Sequence, residues 1–158
     1  MSNNTIRLAV YGSPSVEIEG IVSAAEPDPV KPGMLMWLWT DGNWILHPFV
    51  NTYCTRHICY EQVLVGHDIN SEYASGDKIN IMKGRPGDVY WLRSTGVLVD
   101  PPNPNTYLTG YPVTSDGTGY IRPFIPFPLT DDSIVGIAQE TVVVQDGDFT
   151  QLVRVEMS

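Results

Sequence analysis

The stretch that decides the fold runs from Tyr60 to Arg93 and reads YEQVLVGHDINSEYASGDKINIMKGRPGDVYWLR. It contains two runs typical of β-strands: Lys78–Met82 alternates polar and apolar residues, and Val89–Leu92 is rich in β-forming residues. Each run follows a Gly-Asp pair. Between the runs lies the segment Gly84–Asp88, in which proline fixes one φ angle and glycine permits a positive one. We therefore predict two strands joined by a hairpin loop.

Strand-like runs continue on both sides of this stretch. The apolar runs Met34–Trp39 and Trp44–His47 flank Asp41-Gly42, a strong signal for a hairpin. The 13 prolines and 14 glycines are spread along 158 residues, which favours many short strands and disfavours a helix bundle. The sequence predicts an all-β fold, a small antiparallel β-barrel or sandwich. Its other predicted strands are Thr5–Tyr11, Thr52–Glu61, Ser133–Ala138, Thr141–Gln145 and Gln151–Met157. The segment Val16–Val22 is either a further strand or an extended arm.

Two proline-rich segments interrupt this pattern. Ala24–Pro32 holds three prolines and is the best internal linker, so we predict an N-terminal arm and linker over residues 1–32 and a compact β-domain over residues 33–158. Leu98–Leu129 interleaves prolines with aromatic residues and forms a long loop. Such a loop is either a binding interface or an irregular edge folded onto its own core, and the sequence leaves both open.

The net charge limits the classes of partner that we expect. The chain has 9 Lys and Arg against 18 Asp and Glu, a net charge of −9, so it is repelled by nucleic acid and by an anionic membrane surface. We expect neither as a partner. Met1–Thr5 lacks the features of a signal peptide, and no apolar run reaches the length of a membrane span, so we expect folding in a cytosol with Cys54 and Cys59 reduced.

The sequence favours none of the chemical sites that its reactive residues suggest. His47, Cys54, His57 and Cys59 carry zinc-binding side chains, but on a strand their spacing does not turn all four to one face. The pairs Asp131-Asp132 and Asp146/Asp148 lack the oxygen ligands that calcium needs. Neither Ser94 nor Ser115 lies in a nucleophile motif, and no phosphate-binding loop occurs. We therefore expect no metal, no cofactor and no enzymatic activity.

A resemblance to a known family begins in the deciding stretch. Its order of turn and strand residues resembles small decoration (cement) proteins of tailed-bacteriophage heads. Gly110 followed by Pro112–Gly117, and the run Ile134–Ala138, resemble two later segments of that family. The residues of the stretch that carry the match are Glu61, Leu64, Gly66, Ile69, Tyr73, Ala74, Gly76, Asp77, Arg85, Gly87 and Asp88. With Gly117 and Gly136, the glycines and aspartates among them form a turn and fold signature.

The resemblance implies a structural virion protein. Such a protein is made in the host cytoplasm, binds the major capsid protein on the outer capsid surface as a homotrimer, and stabilises the mature head. Apolar residues in irregular segments are the candidate contacts to the capsid or between subunits. They are Ile6, Leu8, Val10 and Tyr11 in the arm, and Tyr107, Tyr111, Tyr120, Phe124 and Phe127 in the proline-aromatic stretch.

The alternative is a carbohydrate-binding β-module. Trp37 and Trp39 share one face of their predicted strand, and Trp44 could join them across the hairpin. An exposed platform of this kind would stack on sugar rings, whereas buried tryptophans would be core. The apolar neighbours of Trp37 and Trp39 favour burial.

Overall fold

The structure is a computed structural model that describes residues 9–11, 16–53, 55–61, 66–123 and 134–158. The described part is all β, as the sequence predicts, and contains no helix. It therefore also contains no helix of the length and hydrophobicity that crossing a membrane requires. The strands are β1 Ala9–Tyr11, β2 Val16–Ile21, β3 Met36–Leu38, β4 Trp44–Leu46, β5 His57–Tyr60, β6 Lys78–Lys83, β7 Val89–Arg93, β8 Asn105–Tyr107, β9 Pro112–Ser115, β10 Ile121–Pro123, β11 Gly136–Ala138, β12 Val142–Val144 and β13 Leu152–Met157.

The strands form four antiparallel sheets. The largest has six strands in the order β1-β7-β13-β11-β9-β10, and a second has three in the order β2-β6-β5. The pairs β3-β4 and β8-β12 complete the set. None of these sheets closes into a barrel within the described ranges, and the arrangement is compatible with a sandwich.

Two apolar clusters fill the interior. The first lies on the six-stranded sheet and includes Tyr90, Leu92 and Val155, and the second lies on the three-stranded sheet and includes Ile79 and Ile81. Strand β5 contributes to both, because neighbouring residues of a strand point to opposite faces: Ile58 packs in the first cluster and Cys59 in the second.

The hairpin predicted at Asp41-Gly42 is confirmed. Met36 pairs with Leu46 and Leu38 with Trp44 across β3 and β4, and Gly42 has a φ of 82°. Glycine reaches this left-handed region without a Cβ clash, which is why Asp-Gly sequences turn two strands so tightly.

The hairpin predicted at Gly84–Asp88 is wrong. Strand β6 pairs with β2 and β5, whereas β7 pairs with β1 and β13, so the loop crosses from one sheet to another. Both edges of β6 are already occupied. The loop instead binds the end of β13: Gly87 N–H donates to Met157 O at 2.9 Å, and Met157 N–H donates to Asp88 O at 2.8 Å.

Residues 16–32 are built into the packed structure, so the division predicted at residue 32 does not describe them. Strand β2 pairs with β6 along its whole length, from Val16 opposite Lys83 to Ile21 opposite Lys78. Val22 and Val30 are fully buried in the second cluster. The prolines of this segment interrupt strand pairing without separating the chain from the core.

Candidate binding surface

The most distinctive surface is an aromatic patch formed by Trp37, His47, Phe49, Val50 and Tyr53. Trp37 comes from β3, and the other four residues belong to the loop that joins β4 to β5. The rings of Trp37 and Phe49 meet edge to face with centroids 5.1 Å apart, and those of Phe49 and Tyr53 are 5.0 Å apart. Val50 and Tyr53 are 50% and 59% exposed. The patch therefore presents mutually braced apolar groups to solvent.

His47 anchors this loop from inside the protein. The imidazole is fully buried, with Nε2 lying 2.6 Å from Tyr53 O and Nδ1 lying 2.8 Å from Ser115 Oγ. A carbonyl can only accept, so Nε2 carries the proton and donates it, and Nδ1 accepts from the serine hydroxyl. Burial lowers the pKa of His47, although hydrogen bonds from the loop backbone and the charge of Asp116 oppose the shift.

The loop backbone adopts conformations that residues other than glycine rarely take. Asn51 has a φ of 52° and Tyr53 a φ of 47°. Asparagine tolerates this region, but for a bulky aromatic residue it costs free energy and persists only where neighbours enforce it. Two further bonds hold Asn51: its N–H donates to Ser115 O at 3.2 Å, and its side-chain oxygen accepts from Thr114 Oγ1 at 2.7 Å.

Gly117 lies directly beneath the loop. Its φ is 85°, and a Cβ at this position would lie 2.7 Å from Val50 Cγ2. Glycine is thus required both by the backbone angle and by the close approach of Val50. Strand β9 and His47 bond to the loop, and Gly117 packs beneath it. Contacts of this kind favour preorganisation, which lowers the entropy cost of binding.

The patch suits contact with apolar groups and offers little for catalysis. Its imidazole, that of His47, is buried, and both ring nitrogens are already hydrogen-bonded within the protein. Its exposed atoms come from Val50, Tyr53 and the half-buried Trp37 and Phe49.

The candidate contact residues have different environments. Tyr111 is 57% exposed and borders an apolar groove of about 220 Å³, together with Leu108 and Pro112. Tyr120 is half-buried against Phe149, with ring centroids 5.2 Å apart. Only the backbone of Val10 and Tyr11 is described, in edge strand β1, and Ile6, Leu8, Phe124 and Phe127 lie outside the described residues.

Tyr107 is a core residue, which corrects its selection as a surface contact. Its side chain is almost fully buried in the first cluster. The hydroxyl donates to Ile121 O at 3.0 Å and lies 2.6 Å from Ser94 Oγ, so its polar end is satisfied inside the protein. It alternates with the exposed Thr106 on β8, and this inward position follows from the strand period.

The signature glycines and aspartates form turns at strand entries. Gly76 and Gly87 have φ values of 89° and 91°. Asp77 accepts from Ala74 N–H at 2.8 Å and Asp88 accepts from Arg85 N–H at 2.9 Å, so both turns close in the same way. Gly66 and Gly117 also have positive φ values. Gly136 differs: a Cβ there would collide with Glu156 O, so its role is close packing of β11 on β13.

The tryptophans do not share one exposed face. Trp44 is buried, and its indole lies on Gly20, where a Cβ would come within 2.7 Å of Nε1. Trp37 is half-buried in the aromatic patch, and Trp39 is 38% exposed. The Arg154 guanidinium lies 6.0 Å from the centroid of Trp91.

The described zinc-type side chains serve separate local roles. His57 lies 3.4 Å from Thr55 Oγ1 and beside the Trp44 ring, and Cys59 is fully buried, which raises the pKa of its thiol. Asp148 accepts from the Thr150 hydroxyl and backbone, and these bonds lower its pKa. Within the ranges that the structure describes, no three His, Cys, Asp or Glu side chains are placed to hold a metal ion. Cys54 and the pair Asp131-Asp132 lie outside those ranges.

Sequence reasoning missed the centre of the patch. The predicted strand Thr52–Glu61 includes Tyr53, and no prediction covers Phe49 or Val50. The signal was present in the run HPFVNTY at residues 47–53: a proline followed by aromatic residues around an asparagine, the residue other than glycine that best tolerates positive φ.

Comparison with known proteins adds no relative. No protein-family model matches the chain, and no curated protein matches it significantly. The resemblance to head decoration proteins therefore stays a prediction.

Proposed function

We propose that the chain is a structural protein that coats the outside of a tailed-phage head and stabilises the mature shell. Its partner is the major capsid protein, and its site of action is the outer capsid surface after folding in the host cytoplasm. The residue pattern from Glu61 to Asp88 motivates the family, and the geometry of the aromatic patch supplies a surface suited to adhesion.

The observation that carries the proposal is the exposure of Val50 and Tyr53 on a loop that is hydrogen-bonded to His47 and to strand β9. Exposed apolar groups on a soluble protein often mark an interface, and aromatic anchors held in one conformation are the usual source of binding energy. The loop that exposes these groups has strained backbone angles at Asn51 and Tyr53.

A capsid shell repeats the same binding surface many times, so several contacts of modest affinity act together. A specific interface buries roughly 800 Å² on each partner, so we expect surfaces next to the aromatic patch to contribute as well. We propose that the chain forms homotrimers over the shell, with edge strand β1 and the groove at Tyr111 available for contacts between copies. Several linked contacts then raise the affinity by multivalency.

Co-sedimentation tests the proposal. The purified chain is mixed with heads of the phage whose major capsid gene neighbours its own gene, and the bound fraction is measured after centrifugation. We expect saturable binding to expanded heads, and at least about tenfold weaker binding by the double variant Val50→Ser, Tyr53→Ser.

Val97→Ser is the matched control, because Val97 is 63% exposed and lies outside the patch. It should bind as the unaltered chain does. If the double variant folds and still coats heads equally well, the aromatic patch is not the contact surface. If the unaltered chain stays in the supernatant at saturating concentration, the proposed function is wrong.

A further inference from the structure

A second concave site shares no residue with the aromatic patch. It is a cleft of about 280 Å³ between the Asp28–Lys31 segment, the turn at Thr118 and the loop that carries Phe149. Met34 and Leu46, both buried, form its floor. Gly119 lets them approach: its φ is 87°, and a Cβ there would lie 2.7 Å from Leu46 Cδ2. The volume is at the lower end for small-molecule sites and matches a ligand of one ring.

Two aromatic rings form one side of the cleft. Tyr120 and Phe149 have centroids 5.2 Å apart with an angle of 58° between their planes. Phe149 is 38% exposed and Tyr120 is half-buried. An accessible aromatic face is suited to an apolar ligand surface, including the C–H face of a sugar ring.

Polar groups of both signs also line the cleft. The Asp28 carboxylate is exposed, and the Lys31 ammonium lies 3.3 Å from Glu72 Oε1, so its charge is balanced. The Glu26 carboxylate accepts from Asp28 N–H at 3.2 Å and from Leu46 N–H at 2.9 Å, which ties the Asp28 segment to the floor. The Thr118 hydroxyl donates to Asp116 at 2.7 Å and keeps its lone pairs as acceptors.

We propose that this cleft binds one neutral pyranose unit of a glycan. Its apolar ring face would stack on Phe149 and Tyr120, and its hydroxyl groups would bond to Asp28, Lys31 and Thr118. The Lys31 charge is paired with Glu72, the Asp28 carboxylate is exposed and the chain as a whole carries −9, so the cleft disfavours an anionic ligand and a neutral one fits better. The site differs from a tryptophan platform and does not depend on head binding.

Saturation-transfer NMR on the whole chain tests the site. The probes are the methyl glycosides of glucose, galactose, mannose and N-acetylglucosamine at millimolar concentration, with cyclohexanol as an apolar ring that has a single hydroxyl. We expect transfer to the ring protons of at least one glycoside and much less to cyclohexanol. The variants Phe149→Ala and Asp28→Ala should each weaken glycoside binding about tenfold, while Val97→Ala should leave it unchanged.

Any one of three results would overturn the sugar site: no transfer to any glycoside, equal transfer to cyclohexanol, or undiminished glycoside binding by either cleft variant. Asp28 is exposed, so Asp28→Ala keeps the test decisive even if Phe149→Ala disturbs the loop. Phe149→Ala should still sediment with phage heads. Failure of the sugar site and failure of the head contact are therefore separate results.

Discussion

Arg93 ties three segments of the chain together. Its N–H donates to Gly33 O at 3.0 Å, Nε donates to Pro32 O at 2.7 Å, and an Nη donates to Ile69 O. The side chain is buried, and burial lowers the pKa of its guanidinium. The fork of donors on arginine lets one side chain donate to two carbonyls from separate parts of the chain.

Replacing Arg93 should therefore be costly. Arg93→Met leaves the carbonyls of Pro32 and Ile69 without a donor, and we expect the free energy of unfolding to fall by about 2–4 kcal/mol. Arg93→Lys can reach one carbonyl and should lose less. Urea unfolding measures both changes, and a loss below about 1 kcal/mol for Arg93→Met would contradict this role.

Two histidines make the protein less stable in mild acid. Burial lowers the pKa of His47, and burial with the nearby Lys83 and Arg56 lowers that of His57. Each imidazole therefore binds a proton less readily in the folded chain than in the unfolded one, where its pKa is about 6.5. Their contribution to stability is fully present above that value and is lost as the pH falls toward the folded pKa values.

The expected result is a free energy of unfolding that decreases between about pH 7.5 and pH 5.5. His47→Gln should flatten this dependence, because glutamine stays neutral. The aspartates with lowered pKa values, Asp41 and Asp148, titrate below 3.8 and do not contribute in this window. Urea titrations at several pH values give the slope, and an unchanged slope in His47→Gln would show that this imidazole is not the sensor.

Sequence reasoning succeeded at residues whose role is local. Gly76, Asp77, Gly87 and Asp88 form turns because a positive φ and a carboxylate that accepts a nearby N–H depend only on adjacent residues. Tyr107 was misjudged because its burial depends on Ser94 and Ile121, which are distant in the chain. No local pattern encodes those partners.

At the scale of elements, strand positions were more predictable than strand partners. The alternation in Lys78–Lys83 and in Leu152–Met157 reflects one buried face, which a single strand reveals by itself. The neighbour of a strand depends on which edges are free. Strand β6 already has β2 and β5 on its edges, so the Gly84–Asp88 turn leads to another sheet.

Replacing Gly87 or Gly136 by alanine should lower the free energy of unfolding, but for different reasons at the two positions. Gly87→Ala meets no atom within 4 Å and suffers only from its φ of 91°, so we expect a loss of about 1–2 kcal/mol. Gly136→Ala forces a Cβ against the β13 backbone at Glu156 and should lose about 3 kcal/mol. Urea unfolding of both variants checks the order, and a larger loss for Gly87→Ala would contradict it.

At the scale of the whole molecule, the N-terminal region is structural from β2 onward. Deleting residues 2–22 removes the partner of β6 and the buried Val22, so we expect that variant not to fold. Deleting residues 2–8 keeps every described strand pair and should give a folded protein. Far-ultraviolet circular dichroism and urea unfolding distinguish the two outcomes, and a stable fold without residues 2–22 would contradict the role of β2.

The prolines explain why the sequence predicts a linker at Ala24–Pro32, a segment that packs on the core in the structure. Pro27, Pro29 and Pro32 lack the N–H groups that a central strand needs, which suggested a linker. In the structure the chain still bonds between them: Val30 and Tyr73 exchange backbone hydrogen bonds at 2.9 and 2.8 Å. A single bridge of this kind has no periodic signature.

Electron cryomicroscopy of phage heads incubated with the chain is the sharpest test of adhesion through the aromatic patch. We expect extra density on the outer surface of expanded heads, with the loop from His47 to Tyr53 facing the shell. Heads that remain bare at saturating concentration, or decorated heads with that loop turned toward solvent, would contradict it.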